Sequence, residues 1–309
     1  MHVHLPSGIR IEYELTGPQR SPTLVLVMGL GMQLVAWPAP FVEGLVSRGF
    51  RVLRFDNRDA GLSTHVAGGR RVDLRTAVVR AMLGLSVRPP YTLEDMADDT
   101  CGLMDALGID RAHVVGVSMG GMISQVLAAG RPARVASLTS IMSSSGALRF
   151  NFHWTPATRA VLSPPPRDAD EEALLLHLER IWMLIGSPGL QPPRDRLRDR
   201  LRAGLRRAHD PAGVARQLLA IMASGDRRRL LGRIEAPTLV LHGDKDPLVP
   251  VAAGRDTAAH VRGASFHVIP GMGHDLPDAL VPDLVRRIAD HCEAAEDSAG
   301  SRPPAASAG

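Results

Sequence analysis

A serine set between glycines, one histidine in a glycine-rich loop and a pair of aspartates before a proline are the side chains of this 309-residue sequence whose types and spacing could do covalent chemistry. The run Gly116-Val117-Ser118-Met119-Gly120 follows the apolar stretch AHVV and opens the small-residue stretch MGGMISQVLAAG, so Ser118 falls on a sharp strand-to-helix turn. Glycines at 116 and 120 suit such a turn, because side chains there would meet neighbouring backbone. A serine hydroxyl is a poor nucleophile at neutral pH and needs a base to take its proton as it attacks, a role suited to imidazole. Of the 12 histidines, His274 stands out: it sits in GMGHDLP, directly after the strand-like run SFHVIP. His242 and His267 lie within or at the end of strand-like runs and read as structural. The imidazole in turn needs an acid to fix its tautomer and stabilise its protonated form. HGDKDPLVP offers two; Asp246, at the turn before Pro247, is favoured, and Asp244 then serves the turn itself.

Positioning three such groups at one place requires a sheet whose strand ends converge. The runs TLVLV and FRVLRF are continuously apolar or nearly so, as in strands buried on both faces, and they are preceded by IRIEYEL. YTLEDMADDTCGLMDALG has mostly helical apolar spacing, with Thr92 as N-cap and Gly108 as stop. Strand and helix patterns then alternate to the C-terminus, which predicts a doubly wound, mostly parallel α/β sheet with antiparallel material at its beginning. From 146 to 230 the strand pattern gives way to Pro/Arg-rich linkers around helical stretches such as DEEALLLHLERIWMLIG and PAGVARQLLAIMASG, an inserted helical cap. The expected division is a core of 1–145 and 231–292, a cap of 146–230, and a disordered tail of 293–309.

Composition limits the alternatives. Cys101 and Cys292 belong to no metal-ligand spacing and read as reduced thiols, and neither a metal cluster nor a phosphate-binding glycine loop with its acidic ribose ligand is evident, so no cofactor is expected. The formal charge is only +4, and the arginines of 194–209 and 227–233 alternate with acids and leucines, which describes a solvated helix face rather than a nucleic-acid surface. With no stretch of about 18 apolar residues and no secretory-type start, a cytoplasmic protein acting on a small molecule is expected, with its oligomeric state left open.

Together, GVSMGG, HGDKDPLVP and GMGHDLP resemble the α/β-hydrolase superfamily over nearly the whole chain outside the cap. More narrowly, VMGLGMQLVAWP and RFDNRDAGLST are similar to a bacterial esterase branch that includes aclacinomycin methylesterase. The resemblance implies the α/β-hydrolase fold, a triad of Ser118, Asp246 and His274, and an oxyanion hole made by the backbone N–H groups of Met119 and Leu30. The sequence departs from the pattern at Met28, where the family commonly has histidine before the glycine; because Leu30 would donate through its backbone, the replacement is expected to leave the hole intact, and what anchors the loop is left open. Asp56 and Arg58 read as structural ties.

A serine nucleophile points away from the haloalkane dehalogenases and epoxide hydrolases of this fold, which use aspartate there, and toward acyl transfer from esters or thioesters. Trp37, Phe152, Trp154 and Trp182 are candidate pocket walls, although the three in the cap serve equally well as cap core and Trp37 as a loop anchor. A proline-iminopeptidase-like aminopeptidase would need cap acids such as Glu171, Glu172 and Glu179 to hold a substrate ammonium. A non-catalytic binding module would be expected to have lost part of the triad.

Overall fold

Leu24, Val25, Leu26 and Val27 are all fully buried in the third strand; the leucines pack into one hydrophobic layer and the valines into another, the two-residue period of a strand covered on both faces. In the computed structural model, which describes residues 1–66, 74–83, 85–151, 155–166 and 168–300, this strand lies in an eight-stranded sheet. The strands are β1 (His2–His4), β2 (Arg10–Thr16), β3 (Thr23–Val27), β4 (Arg51–Phe55), β5 (Ala112–Val117), β6 (Val135–Ile141), β7 (Thr238–Gly243) and β8 (Ser265–Ile269). Their spatial order is β1-β2-β4-β3-β5-β6-β7-β8. The β1–β2 and β2–β4 pairs are antiparallel and the rest parallel, as the sequence predicts. The order reverses between β3 and β5, and the crevice beyond the carboxyl ends at such a switch point is where open α/β sheets bind ligands.

The helices are α1 (Ala39–Ser47), α2 (Leu74–Met82), α3 (Leu93–Ala106), α4 (Met119–Gly130), α5 (Leu148–Asn151), α6 (Pro156–Val161), α7 (Glu171–Ile185), α8 (Arg194–Arg207), α9 (Pro211–Ser224), α10 (Arg228–Leu231), α11 (Val251–Ala259) and α12 (Val281–Gly300). Phe41 and Leu45 of α1 join Leu284 and Ile288 of α12 over one face of the sheet, and α3 and α4 cover the other. Thr92 caps α3 through a reciprocal capping box with Asp95, and Asp170 and Asp210 cap α7 and α9 by accepting from Ala173 N and Ala212 N. Among the described residues no helix is long and apolar enough to cross a membrane.

Helices α5 to α10 fill the chain between β6 and β7. The sequence division needs two corrections. First, α2 packs on α9, so a piece of chain from within 1–145 belongs to the cap layer. Second, the final helix does not end at Cys292: it continues to Gly300, because Cys292 and Ala295 are buried and Arg48, at the C-cap of α1, pairs with Asp290 and Glu293, both at 2.8 Å. Residues 301–309 of the expected tail lie outside the described residues.

Candidate active site

Ser118 ends β5 and begins α4 with φ 54° and ψ −119°, a left-handed backbone that L-residues avoid. The strained turn is held from several sides. Ser118 N donates to Ile141 O at 2.9 Å, and Ser143 Oγ donates to Ser118 O at 2.8 Å. The flanking glycines are required by close approach rather than by φ: a Cβ on Gly116 would stand 2.2 Å from Gly120 O, and one on Gly120 would stand 2.0 Å from Val27 O. Gly116→Ala is therefore expected to destabilise the fold by about 3 kcal/mol or more, the upper range for forced overpacking. Urea unfolding checks this; a shift below about 0.5 kcal/mol, the size of an ordinary surface substitution, would show that the turn can relax around a methyl group.

The imidazole of His274 lies between Ser118 and Asp246. Its Nε2 is 2.9 Å from Ser118 Oγ and its Nδ1 is 2.7 Å from Asp246 Oδ2. A carboxylate only accepts, so Nδ1 carries the proton facing Asp246 and Nε2 is left free to accept from the serine hydroxyl. Asp246 follows β7 and its side chain is fully buried; its other oxygen, Oδ1, accepts from Leu248 N at 2.9 Å and Val249 N at 2.8 Å. Burial opposes its ionisation, but the facing rings of His274 and His242 outweigh that and hold the carboxyl well below the usual carboxylate range. Asp244, the other acid of the run, accepts from Gly271 N at 2.7 Å and stays in the turn.

The loop carrying His274 is braced by the end of α7. His274 N donates to Ile185 O at 2.7 Å, Gly273 N donates to Ser187 Oγ at 2.8 Å, and Ser187 donates through its hydroxyl and through its N–H to Asp275. Burial pushes the Asp275 carboxyl up, against the opposing effect of Ser187. His242 is also closer to the centre than its strand-like run suggested: its Nε2 donates to Val249 O at 2.8 Å and lies 3.5 Å from Asp246 Oδ2.

Met119 is the first residue of α4, so its N–H is one of the donors a helix start leaves unpaired. The loop after β3 comes against the same turn, with a Cβ built on Gly29 standing 3.4 Å from Ser118 Cβ; Leu30 is the next residue. Where the resembling family has histidine, Met28 is instead held through its carbonyl by Asn57 Nδ2 at 3.0 Å. Asp56, fully buried, accepts from Leu34 N at 2.6 Å and Leu62 N at 2.8 Å and pairs with Arg207 of α8 at 2.7 Å. Arg58 pairs with buried Asp99 at 2.6 and 2.7 Å. Both are structural ties, and Asp56 joins core to cap.

Over Ser118 and His274 lies a cavity of about 1710 Å³ between sheet and cap, larger than the roughly 300–1,000 Å³ of ordinary small-molecule sites. Met119 and Met122 line it from the core and Leu174, Trp182, Leu218 and Met222 from the cap. Trp37 reaches the wall but is only 1% exposed and stacks on Phe41 with 5.2 Å between ring centroids, so most of its bulk anchors the loop. Phe152 and Trp154 lie outside the described residues. The cap acids are engaged: Glu179 pairs with Arg194 and Arg198, Glu172 with Arg198, and Glu171 with Arg202 and Arg206. Asp59, His65 and Asp210 converge closely enough to hold a cation, but the guanidinium of Arg216 already fills that place, 2.7 Å from Asp59 and 3.0 Å from Asp210.

The profile of the alpha/beta hydrolase fold family matches residues 22–278. The chain belongs to that family. Rhodomycin D methylesterase DauP of Streptomyces sp. (strain C5) is 30% identical to it, covering 90% of this chain and 93% of its own. 3-Oxoadipate enol-lactonase 1 of Acinetobacter baylyi is 26% identical, covering 85% of each chain. The crystal structure of the enol-lactonase from Burkholderia xenovorans LB400 superposes with a TM-score of 0.73 at 25% identity, covering 95% of this chain and 100% of that one. Likeness to a methylesterase agrees with the resemblance carried by VMGLGMQLVAWP and RFDNRDAGLST.

What this alpha/beta hydrolase adds, and sequence reasoning missed, is the set of residues that hold the site from the cap: Ser187, Arg207, Arg216 and Gln217. None lies in a motif. Arg207 sits in the arginine-rich run 194–209 and Arg216 outside both such runs, and only the three-dimensional pairing with Asp56 and Asp59 singles them out. The solvated reading of 227–233 fails at Arg227, which is buried and donates to Ser144 O at 2.8 Å.

Proposed function

We propose that this protein is a serine hydrolase that cleaves carboxylic esters through an acyl-enzyme on Ser118. The observation that carries the reading is the unbroken hydrogen-bonded chain from buried Asp246 through His274 to Ser118, at the wall of a large, mostly apolar cavity. In the forward step Ser118 Oγ attacks the ester carbonyl carbon while its proton passes to His274 Nε2, and Asp246 stabilises the imidazolium. The carbonyl π pair moves to oxygen, and the N–H groups of Leu30 and Met119 receive that oxyanion. Collapse expels the alkoxide, which takes the proton from His274. Water then attacks the acyl-enzyme with His274 again as base, releasing the acid and regenerating Ser118. A thioester would follow the same steps.

The cavity volume and its methionine, leucine and tryptophan lining favour an ester of a bulky apolar acid, and the methylesterase and lactonase relatives support an oxygen ester with a small or internal alcohol. The aminopeptidase reading is disfavoured, because the cap acids that would hold a substrate ammonium are paired with arginines of α8. Hydrolysis of p-nitrophenyl esters from acetate to palmitate, alongside methyl esters of polycyclic aromatic acids and amino-acyl p-nitroanilides, tests the reading. Turnover of esters, including the bulky methyl esters, with no anilide cleavage is expected. An enzyme inactive on every ester, or one preferring the anilides, contradicts it.

A further inference from the structure

We infer that Gln217, on the cap helix α9, is the positioning residue that holds the oxyanion loop in register with Ser118. The inference rests on the esterase reading above and names a determinant of its rate. Gln217 is fully buried and both ends of its amide are used: Oε1 accepts from Gly31 N at 2.8 Å, and Nε2 donates to Arg58 O at 2.8 Å. One side chain thus bridges the loop after β3 to the loop after β4. Gly31 follows Leu30 directly, so holding the Gly31 N–H fixes the peptide plane between the two residues, and the Leu30 N–H, in the preceding plane, is left only the φ and ψ of Leu30 to turn about.

The same helix meets the loop a second time. Gly31 has φ +65°, and a Cβ there would stand 2.8 Å from Val214 Cγ2, one turn before Gln217 on α9. Further along, Gln33 Nε2 donates to Gly204 O at 2.8 Å and Ala208 O at 3.0 Å, and its Oε1 accepts from Arg207 Nη1 at 2.8 Å. The loop is therefore seated on the α8–α9 corner. With no histidine at position 28, the loop is held from the core by Asn57 at Met28 O and from the cap by Gln217 at Gly31 N, the residue after Leu30.

The cap is then part of the rate-determining geometry as well as a cover for the substrate. Loss of one oxyanion donor in serine hydrolases costs about 10²–10³ in kcat, and a misaimed donor is expected to cost about 10- to 100-fold. The test compares wild type, Gln217→Met and Gln217→Glu on a p-nitrophenyl ester, with the inhibition constant of an alkylboronic acid, whose adduct on Ser118 is tetrahedral and anionic. Gln217→Met keeps the length and removes both hydrogen bonds; Gln217→Glu keeps an acceptor for Gly31 N. The expected result is a fall in kcat of about 10- to 100-fold for Gln217→Met with KM within about twofold, a matching rise in the boronate inhibition constant, and recovery of most of the loss in Gln217→Glu. A kcat within about twofold of wild type in Gln217→Met, a loss confined to KM, or equal losses in both variants overturns the inference. Should Gln217→Met not fold, Gln217→Asn, whose amide is one methylene too short to bridge Gly31 N and Arg58 O, takes its place, with the same results expected and the same results overturning the inference. A wild type that hydrolyses no ester overturns the esterase reading, and the inference with it. An active wild type beside an unaffected Gln217→Met overturns the inference alone.

Discussion

Replacing Ser118 with alanine is expected to lower kcat/KM on the best ester by about 10⁴-fold or more while leaving the thermal unfolding midpoint within a few degrees of wild type. The two halves of that result have separate causes. The rate falls because the attacking oxygen and the proton it delivers to His274 Nε2 are both gone, and a binding site with an oxyanion hole but no nucleophile retains only modest acceleration over water. Stability changes little because alanine keeps the Cβ, and the backbone bonds to Ile141 O and from Ser143 Oγ that hold φ at 54° do not involve the hydroxyl. Steady-state kinetics and a thermal melt on the same preparation check it. An active Ser118→Ala protein would place the nucleophile elsewhere.

Asp246→Asn is expected to lower kcat by about 10⁴-fold, close to the cost of a wrong histidine tautomer, with little change in KM. The direction follows from the two backbone N–H groups of Leu248 and Val249, which point at Oδ1. An asparagine must give its carbonyl oxygen to those donors, so its NH₂ turns toward His274 Nδ1. That nitrogen then has to accept, the ring proton moves to Nε2, and His274 can no longer take the proton of Ser118. The same carboxylate bears on stability. Its pKa is depressed in the folded state, so ionised Asp246 contributes stability that is fully present above the unfolded carboxylate value of about 3.9 and is lost as pH falls from there through the folded value. Asp246→Asn should therefore be less stable than wild type at pH 7, with the difference shrinking in strong acid. Denaturant titrations at several pH values check the sign, and a difference that grows toward acid would contradict it.

Ser118, Asp246 and His274 were legible because each lies where a strand ends, and strand ends in a parallel sheet are marked by an apolar run giving way to glycine or proline. The sheet was legible for the same reason: β3 and β5 are buried on both faces, and such strands carry nearly continuous hydrophobic sequence. The cap was harder to delimit. Helix α2 joins its layer from a distant part of the chain, and nothing in LRTAVVRAM says which surface it will cover. The end of α12 was misplaced because EAAEDSAG is polar enough to read as coil, while burial of Cys292 and Ala295 together with the Arg48 ion pairs carries the helix on to Gly300. Gln217 and Ser187 act through polar contacts between segments far apart in sequence, and such contacts leave no periodicity to read.

Labelling with a fluorophosphonate, followed by intact mass and peptide mapping, tests most directly whether Ser118 is an activated nucleophile. One adduct per chain is predicted, on the peptide carrying Ser118, absent in Ser118→Ala and greatly slowed in Asp246→Asn. An adduct on another serine, or an unlabelled Ser118 in a preparation that hydrolyses esters, would contradict the account.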